Sequence, residues 1–316
     1  LALVRGGQRQ LARGRIAGTV KSYPGYWVAN FVEVTAIREY LLGLLERSDI
    51  ASMQPIVRAE PLDEEEMIPA HSRSADDRPD RGAACGLITI NADKVWQMGI
   101  NGTGTIVAHI DTGVQGTHPA LASRWRGAQG HPASECWKDM YDSLSVFPYD
   151  TDPHGHGTGT MGIMVGLGGP QDTIGVAWGA SWIAGIPTNF CLELFQWLID
   201  PDLDPGTSDD RPDVVNCSFS MGQGFCREPW FPFSVFDNVQ AAGTAIIWAN
   251  GNCSDGQGHW VCCRWNSVAW RAVSLTNSFS VGNADCDPCG YPCVPYFGSC
   301  YGPTACDDPP PGYEFK

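Results

Sequence analysis

The sequence predicts an α/β fold built on a mostly parallel sheet, preceded by a small α+β unit. Three observations carry that prediction. Short continuous apolar runs recur in the second part of the chain, the pattern of strands buried on both faces. Segments with apolar residues at helical spacing separate those runs. A polar stretch of mixed charge divides them from the first part of the chain.

Within the first part, residues 26–32 read as a strand. Residues 36–47 read as a helix, with Tyr40, Leu41, Leu44 and Leu45 at helical spacing. Residues 50–57 read as a second strand. The first 21 residues hold five basic and no acidic side chains, and no element is legible in them. Residues 60–81, with the run Asp63-Glu64-Glu65-Glu66, cannot bury apolar surface and read as an exposed linker. In the second part, residues 105–110, 181–186, 213–218, 244–249 and 273–281 read as strands. Cys191, Leu194, Phe195 and Leu198 mark one helix between them, and Val235, Val239 and Ala242 mark another. The division expected is 1–58 for an N-terminal extension with its small unit, 59–85 for the linker, and 86–316 for the main domain.

Charge and cysteine narrow the function. The 316 residues carry 20 Lys+Arg against 35 Asp+Glu, a net charge of −15. Phosphates attract Lys and Arg, so this balance argues against nucleic acid and anionic membranes as partners. No apolar run approaches the roughly 18 residues of a membrane span. Residues 1–81 hold 11 basic and 12 acidic side chains and residues 82–316 hold 9 and 23, so the acidity belongs to the main domain. Ten of the 13 cysteines lie at or after Cys217, five of them from Cys286 to Cys306. That density points to an oxidising compartment and disulfides, with one thiol over. Cys286-x-x-Cys289-x-x-x-Cys293, with Cys300 and Cys306, is also a thiolate set of the kind zinc takes, but no neighbouring His completes a recognised spacing.

Three polar residues stand out as chemistry. Asp111 follows directly on the apolar run at 105–110, which puts a carboxylate at the carboxyl end of a buried strand. Read alone, it is better explained as a turn residue with Thr112 and Gly113. His156 sits in Asp152-Pro-His-Gly-His-Gly-Thr-Gly-Thr-Met-Gly, where small residues behind it suit a helix packed close to a sheet. A histidine at a helix start can act as a general base, and the helix terminus should depress its pKa slightly. Asn252, in Ala249-Asn250-Gly251-Asn252, lies past another buried strand, where a side-chain amide can stabilise an oxyanion.

Taken together, these segments resemble the subtilisin-like serine proteases, the subtilases. Ile110-Asp111-Thr112-Gly113 with His118-Pro119-Ala120-Leu121 resembles the family's aspartate block. His156-Gly157-Thr158 with Gly162 resembles its histidine block, and His156 fits better than His154 because only it has Gly at the sixth following position. Residues 213–219 resemble the strand that pairs with substrate, and residues 249–252 the oxyanion block. The resemblance runs from about residue 90 to 312 and is nearest the bacillopeptidase F-like branch.

That resemblance implies a three-layer subtilisin-like fold, polypeptide substrates and peptide-bond hydrolysis. Asp111 would orient His156, His156 would be the base, and Asn252 the oxyanion donor. Ser218, Phe219 and Ser220 would line the substrate. No cofactor is required, calcium often accompanies the family, and a secreted monomer is expected. The unit at residues 26–57 resembles the family's inhibitory propeptide. Departures are Gly159 where a second His is usual, Thr160 where Val is usual, and Ser220 where Gly is expected. His109 reads as a packed neighbour. The nucleophile block Gly-Thr-Ser-Met-Ala-x-Pro is absent, because Gly206-Thr207-Ser208 falls in the wrong order. A fragment ending before the serine, and inactive as it stands, is therefore expected. A non-catalytic peptide-binding relative and a Cys-rich metal-binding variant are the alternatives.

Overall fold

The computed structural model describes residues 5–50, 53, 85–169, 172–187, 192–219, 234–249, 278–282, 284–285 and 294–295. It opens with α1 (Arg5–Ile16), followed by β1 (Val20–Ser22), the hairpin strands β2 (Gly25–Tyr26) and β3 (Phe31–Val32), β4 (Thr35–Ala36) and α2 (Arg38–Leu44). Two short helices, α3 (Cys85–Thr89) and α4 (Ala92–Gln97), precede β5 (Ile106–Ile110). Next come α5 (Ala133–Cys136), β6 (Trp137–Asp139), α6 (His156–Val165) and the hairpin β7 (Leu167–Gly169) and β8 (Asp172–Thr173). The chain continues through β9 (Ser181–Ile186), α7 (Leu192–Ile199), β10 (Val214–Cys217), α8 (Ser234–Ala241), β11 (Ala245–Ala249) and β12 (Ser278–Val281). A two-stranded pair, β13 (Ala284–Asp285) with β14 (Val294–Pro295), follows.

The main sheet has the order β12-β11-β10-β5-β9-β6. Every pairing in it is parallel. All five residues of β5 are buried, which a strand achieves only when both faces of its sheet are covered. The register shows what covers each face. His109 of β5 pairs with Asn216 of β10, which pairs with Ile247 of β11. On that face His109 meets Thr160 of α6. Ile110 pairs with Cys217, which pairs with Trp248. On that opposite face Trp248 packs against Phe195 of α7 and Phe236 of α8, with ring centroids 6.2 and 5.2 Å away. Helix, sheet and helix therefore form three layers, the arrangement the family resemblance implies, on the parallel sheet that the alternation of runs predicts. The short strand β6 has no periodic signal and was not foreseen.

The N-terminal unit differs from its sequence reading in three ways. The first residues, in which no element was legible, contain α1. Residues 36–47 yield a helix only over Arg38–Leu44, because Ala36 is spent in β4. The expected strand at 26–32 is a hairpin instead, broken by a 3-10 turn at Trp27–Ala29 and by Asn30 at φ 50°. Asn tolerates that left-handed conformation better than most residues. The reason lies outside the unit. The turn presses on α7 and α8, where the Trp27 amide donates to Gln196 Oε1 at 2.8 Å and Asn238 Nδ2 donates to the Val28 carbonyl. Val28 is buried in the main core, whereas Leu11, Val20, Val32 and Leu44 form a separate small one. Of the expected strand at 50–57, Ile50 and Met53 pack on that small core. The rest of that strand and the linker 60–81 lie outside the described residues.

Candidate active site

Asp111 stands one residue beyond β5, at the carboxyl end of the sheet. Chain order reverses there, since β9 lies on one side of β5 and β10 on the other, and open α/β sheets place ligands at such a point. The carboxylate is buried, and the Asp111 amide donates to the Gly185 carbonyl of β9 at 3.3 Å. The chain then turns through Gly113 at φ 107°, where a Cβ would fall 2.0 Å from the Tyr149 carbonyl oxygen. Only glycine fits that approach. Val114 N–H donates to the same carbonyl at 3.1 Å, so the loop leading into α6 is tied to the aspartate turn.

The first turn of α6 is held by two carboxylates. Asp152 Oδ2 accepts from the His156 amide at 2.7 Å, and its Oδ1 accepts from the His154 amide at 3.1 Å. Asp150 Oδ2 accepts from the Thr158 amide at 2.8 Å, while its Oδ1 accepts from the Thr112 hydroxyl at 2.7 Å. Negative charge at a helix N-terminus is favourable. Gly157 brings the helix against the aspartate turn: a Cβ on it would lie 2.0 Å from the Gly113 oxygen. The Gly157 amide instead donates to Thr112 Oγ1 at 3.0 Å.

This contact sets His156 Nδ1 2.6 Å from Asp111 Oδ1, with the Asp111 side chain 2% and the His156 side chain 38% exposed. The Thr112 amide donates to the same oxygen at 2.7 Å. With Nδ1 committed to the carboxylate, Nε2 is the nitrogen able to exchange a proton. Hydrogen bonding to Asp111 raises the His156 pKa above its ordinary 6.5; burial of the ring opposes it, and the charges of Asp111, Asp152 and Asp150 add to it. The expected depression by the helix terminus is thus overturned. A full charge in hydrogen-bond contact outweighs the roughly half charge of a helix end.

Below this pair lies His109, fully buried. Its Nε2 is 2.6 Å from Thr160 Oγ1 and 3.6 Å from Asp111 Oδ2. Its Nδ1 is 3.3 Å from both the carbonyl oxygen and the side-chain nitrogen of Asn216. Burial lowers the His109 pKa more than Asp111 raises it, so the ring is neutral. The unusual Thr160 therefore has a local purpose: it gives a buried histidine a polar partner. Gly159, by contrast, is exposed, and a Cβ there would meet nothing within 4 Å.

Ser218 and Phe219 follow β10, beside the Asp111 turn. Ser218 Oγ accepts from Asn216 Nδ2 at 2.7 Å. The Phe219 ring sits edge-on to Trp248, 5.7 Å between centroids, and packs on the core. Asn252, Ser220 and the cysteines from 286 to 306 lie outside the described residues. Cys136 is a free, buried thiol, and burial pushes its pKa up to about 11. Sequence reading missed Asp150 and Asp152. An acidic residue four positions before a helix-initiating histidine was the available signal, because it can reach back to the first amides. Among the described residues, Asp200, Asp202 and Asp210 bring carboxylate oxygens within 4.8 Å of one another. Oxygen-only donors suit calcium.

Comparison with known proteins adds an independent line. A family model described as the subtilase family, peptidase S8, matches residues 102–304, well over half of the chain. Bacillopeptidase F of Bacillus subtilis (strain 168) is 28% identical over 281 residues, covering 85% of this chain and 17% of that protein. Furin-like protease 2 of Drosophila melanogaster is 28% identical over 178 residues, covering 54% of this chain and 10% of that protein. Proprotein convertase subtilisin/kexin type 5 of Branchiostoma californiense is 24% identical over 236 residues, covering 67% and 13%. The chain spans less than a fifth of the length of each of these relatives. The matched segment contains the whole parallel sheet and both members of the Asp111–His156 pair, and the chain belongs to the subtilase family.

Proposed function

We propose that this chain carries the catalytic scaffold of a subtilisin-type serine endopeptidase. The observation that supports this reading best is the buried Asp111 carboxylate 2.6 Å from His156 Nδ1, at the carboxyl end of the central strand. In the reaction, His156 Nε2 takes the proton of a serine hydroxyl as it attacks the peptide carbonyl. The imidazolium then gives that proton to the leaving amine. Asp111 holds the ring's orientation and stabilises its charged form. Asn252 would donate to the oxyanion, and the chain at Ser218, Phe219 and Ser220 would pair with the substrate backbone. No cofactor enters this chemistry.

The serine is the missing participant. The 316 residues contain no Gly-Thr-Ser-Met-Ala-x-Pro block, so the chain by itself is expected to bind peptide without cleaving it. The second reading is a non-catalytic peptide-binding relative of the family. Docking of the Trp27–Ala29 turn on α7 and α8 supports an inhibitory role for residues 1–58, with 59–85 as the processed linker. Cysteine usage supports an extracellular location, and among the described residues no helix is long and apolar enough to cross a membrane.

The test is covalent labelling of the natural gene product with a serine-directed phosphonate. Labelling that a His156→Ala change abolishes supports the protease. An unlabelled product that still binds peptide at Ser218–Ser220 rejects it in favour of the binding protein.

A further inference from the structure

The feature the mechanism above leaves unused is the second oxygen of Asp111. Oδ1 takes all the hydrogen bonds, whereas Oδ2 is buried and has no hydrogen-bond donor among the described residues. His109 Nε2 lies 3.6 Å from it. That is too long for a hydrogen bond but close enough for the ring's dipole to act on the carboxylate.

Which nitrogen of His109 carries the proton follows from its neighbours. The Thr160 hydroxyl lies 3.0 Å from the His156 carbonyl and 3.1 Å from the Gly157 carbonyl of its own helix, and donates there. It thus presents a lone pair to His109 Nε2 at 2.6 Å, which must then be the protonated nitrogen. Nδ1 becomes an acceptor for one hydrogen of Asn216 Nδ2, at 3.3 Å. The other hydrogen of that amide goes to Ser218 Oγ. The opposite tautomer would gain a donation from Nδ1 to the Asn216 carbonyl oxygen at 3.3 Å, but it would pull Thr160 off its helix carbonyls and set the Nδ1–H against the Asn216 Nδ2 hydrogens. It would also aim the Nε2 lone pair at Asp111 Oδ2, an unfavourable arrangement in a low-dielectric interior.

We propose that His109 is a positioning residue for the Asp111–His156 pair: a neutral, Nε2-protonated imidazole that directs its N–H toward Thr160 and the free oxygen of Asp111. By doing so it keeps Asp111 from rotating off His156. It also joins the two sides of the site, since Ser218, Asn216, His109 and Thr160 form one hydrogen-bonded chain from the strand beside the substrate to the helix bearing the base. The charged and titratable groups acting on His109 are Asp111, Asp150 and His156; those acting on His156 are Asp111, Asp152, Asp150 and, through its contact with Asp111, His109. The inference rests on the proposed roles of Asp111 and His156.

The test is a long-range proton–nitrogen spectrum of the 316-residue chain labelled with nitrogen-15 histidine, recorded from pH 5 to 8. His109 is expected to stay neutral with its proton on Nε2 throughout. A proton on Nδ1, or a charged His109 ring in that range, overturns the proposal without any mutation. In a folded His109→Leu chain, the His156 midpoint should shift down toward its ordinary 6.5, while His109→Gln, which keeps an N–H donor, should hold it near wild type. An unchanged or raised midpoint in His109→Leu overturns the proposal. Asp111→Asn separates the two ideas. If it leaves His156 unmoved, the pairing itself fails and the inference with it. If it moves His156 while His109→Leu does not, only the role of His109 falls.

Discussion

Replacing Gly157 by alanine isolates the contact that builds the site. The added methyl would sit 2.0 Å from the Gly113 carbonyl oxygen, 3.0 Å from Thr112 Oγ1 and 3.1 Å from Asp111 Oδ1. Carbon and carbonyl oxygen need about 3.3 Å, so α6 or the aspartate turn must give by more than about 1 Å. Both are backbone and both are tethered, α6 through Asp150 and Asp152, the turn through Tyr149. A displacement of that size carries the 2.6 Å His156–Asp111 hydrogen bond beyond its limit of about 3.2 Å. Overpacking of this kind costs about 1–3 kcal/mol. Alanine returns up to about 1 kcal/mol through its better helix propensity. The net loss, up to about 3 kcal/mol, should lower Tm by up to roughly 12 °C for a domain of this size. Calorimetry gives that number, and the His156 titration, expected to move toward 6.5, shows that the pair has opened. Gly159→Ala is the control in the same helix. It has open space around its Cβ, so it should be neutral or stabilising by up to about 1 kcal/mol. A Gly157→Ala chain at least as stable as wild type, with His156 still titrating above 6.5, would refute the reasoning. So would an equal loss from Gly159→Ala.

Three further outcomes follow from the same geometry. Because the folded-state pKa of His156 is raised, its contribution to stability is complete below 6.5 and is lost as pH rises through the higher folded value; denaturant midpoints should fall across that window, and His156→Gln should flatten the change. Trp248→Ala empties the space between Phe195, Phe219 and Phe236 and should cost about 3–5 kcal/mol, read by urea unfolding. Gln196→Ala with Asn238→Ala removes the side-chain bonds to the Trp27–Val28 backbone, so limited proteolysis should release the N-terminal unit faster, while an unchanged rate would mean that apolar contact of Val28 alone holds it.

The sheet was legible because β5 and β9 are buried on both faces, and β10 and β11 on one face with the other half-buried, which leaves short apolar runs in the sequence. Residues 181–186 are predicted and observed as a strand with the same ends. The N-terminal unit was less legible. Its strands are two or three residues long, and its central turn takes its shape from α7 and α8, more than 150 positions away in the chain.

The site divides in the same way. Asp111 and His156 could be picked out because each follows a local rule: a polar residue just past a buried strand, and a histidine at a glycine-rich helix start. Residue order and neighbours alone also supported the family. Local pattern says nothing about what a side chain meets across the sheet. His109 read as an inert neighbour, and Thr160 as an odd substitution, until α6 was laid over β5 and the two became partners. The rise in the His156 pKa is likewise a tertiary effect, because a helix terminus acts from within one turn whereas the opposing carboxylate arrives from 45 residues earlier. Apolar runs and their periodicity determined the central strands and the helices between them, and local position marked the candidate orienting carboxylate and the base. The hydrogen-bond network beneath them was decided only when parallel pairing put His109 beside Asn216, since a side chain's electrostatic partners depend on distance in space and not on spacing in the chain.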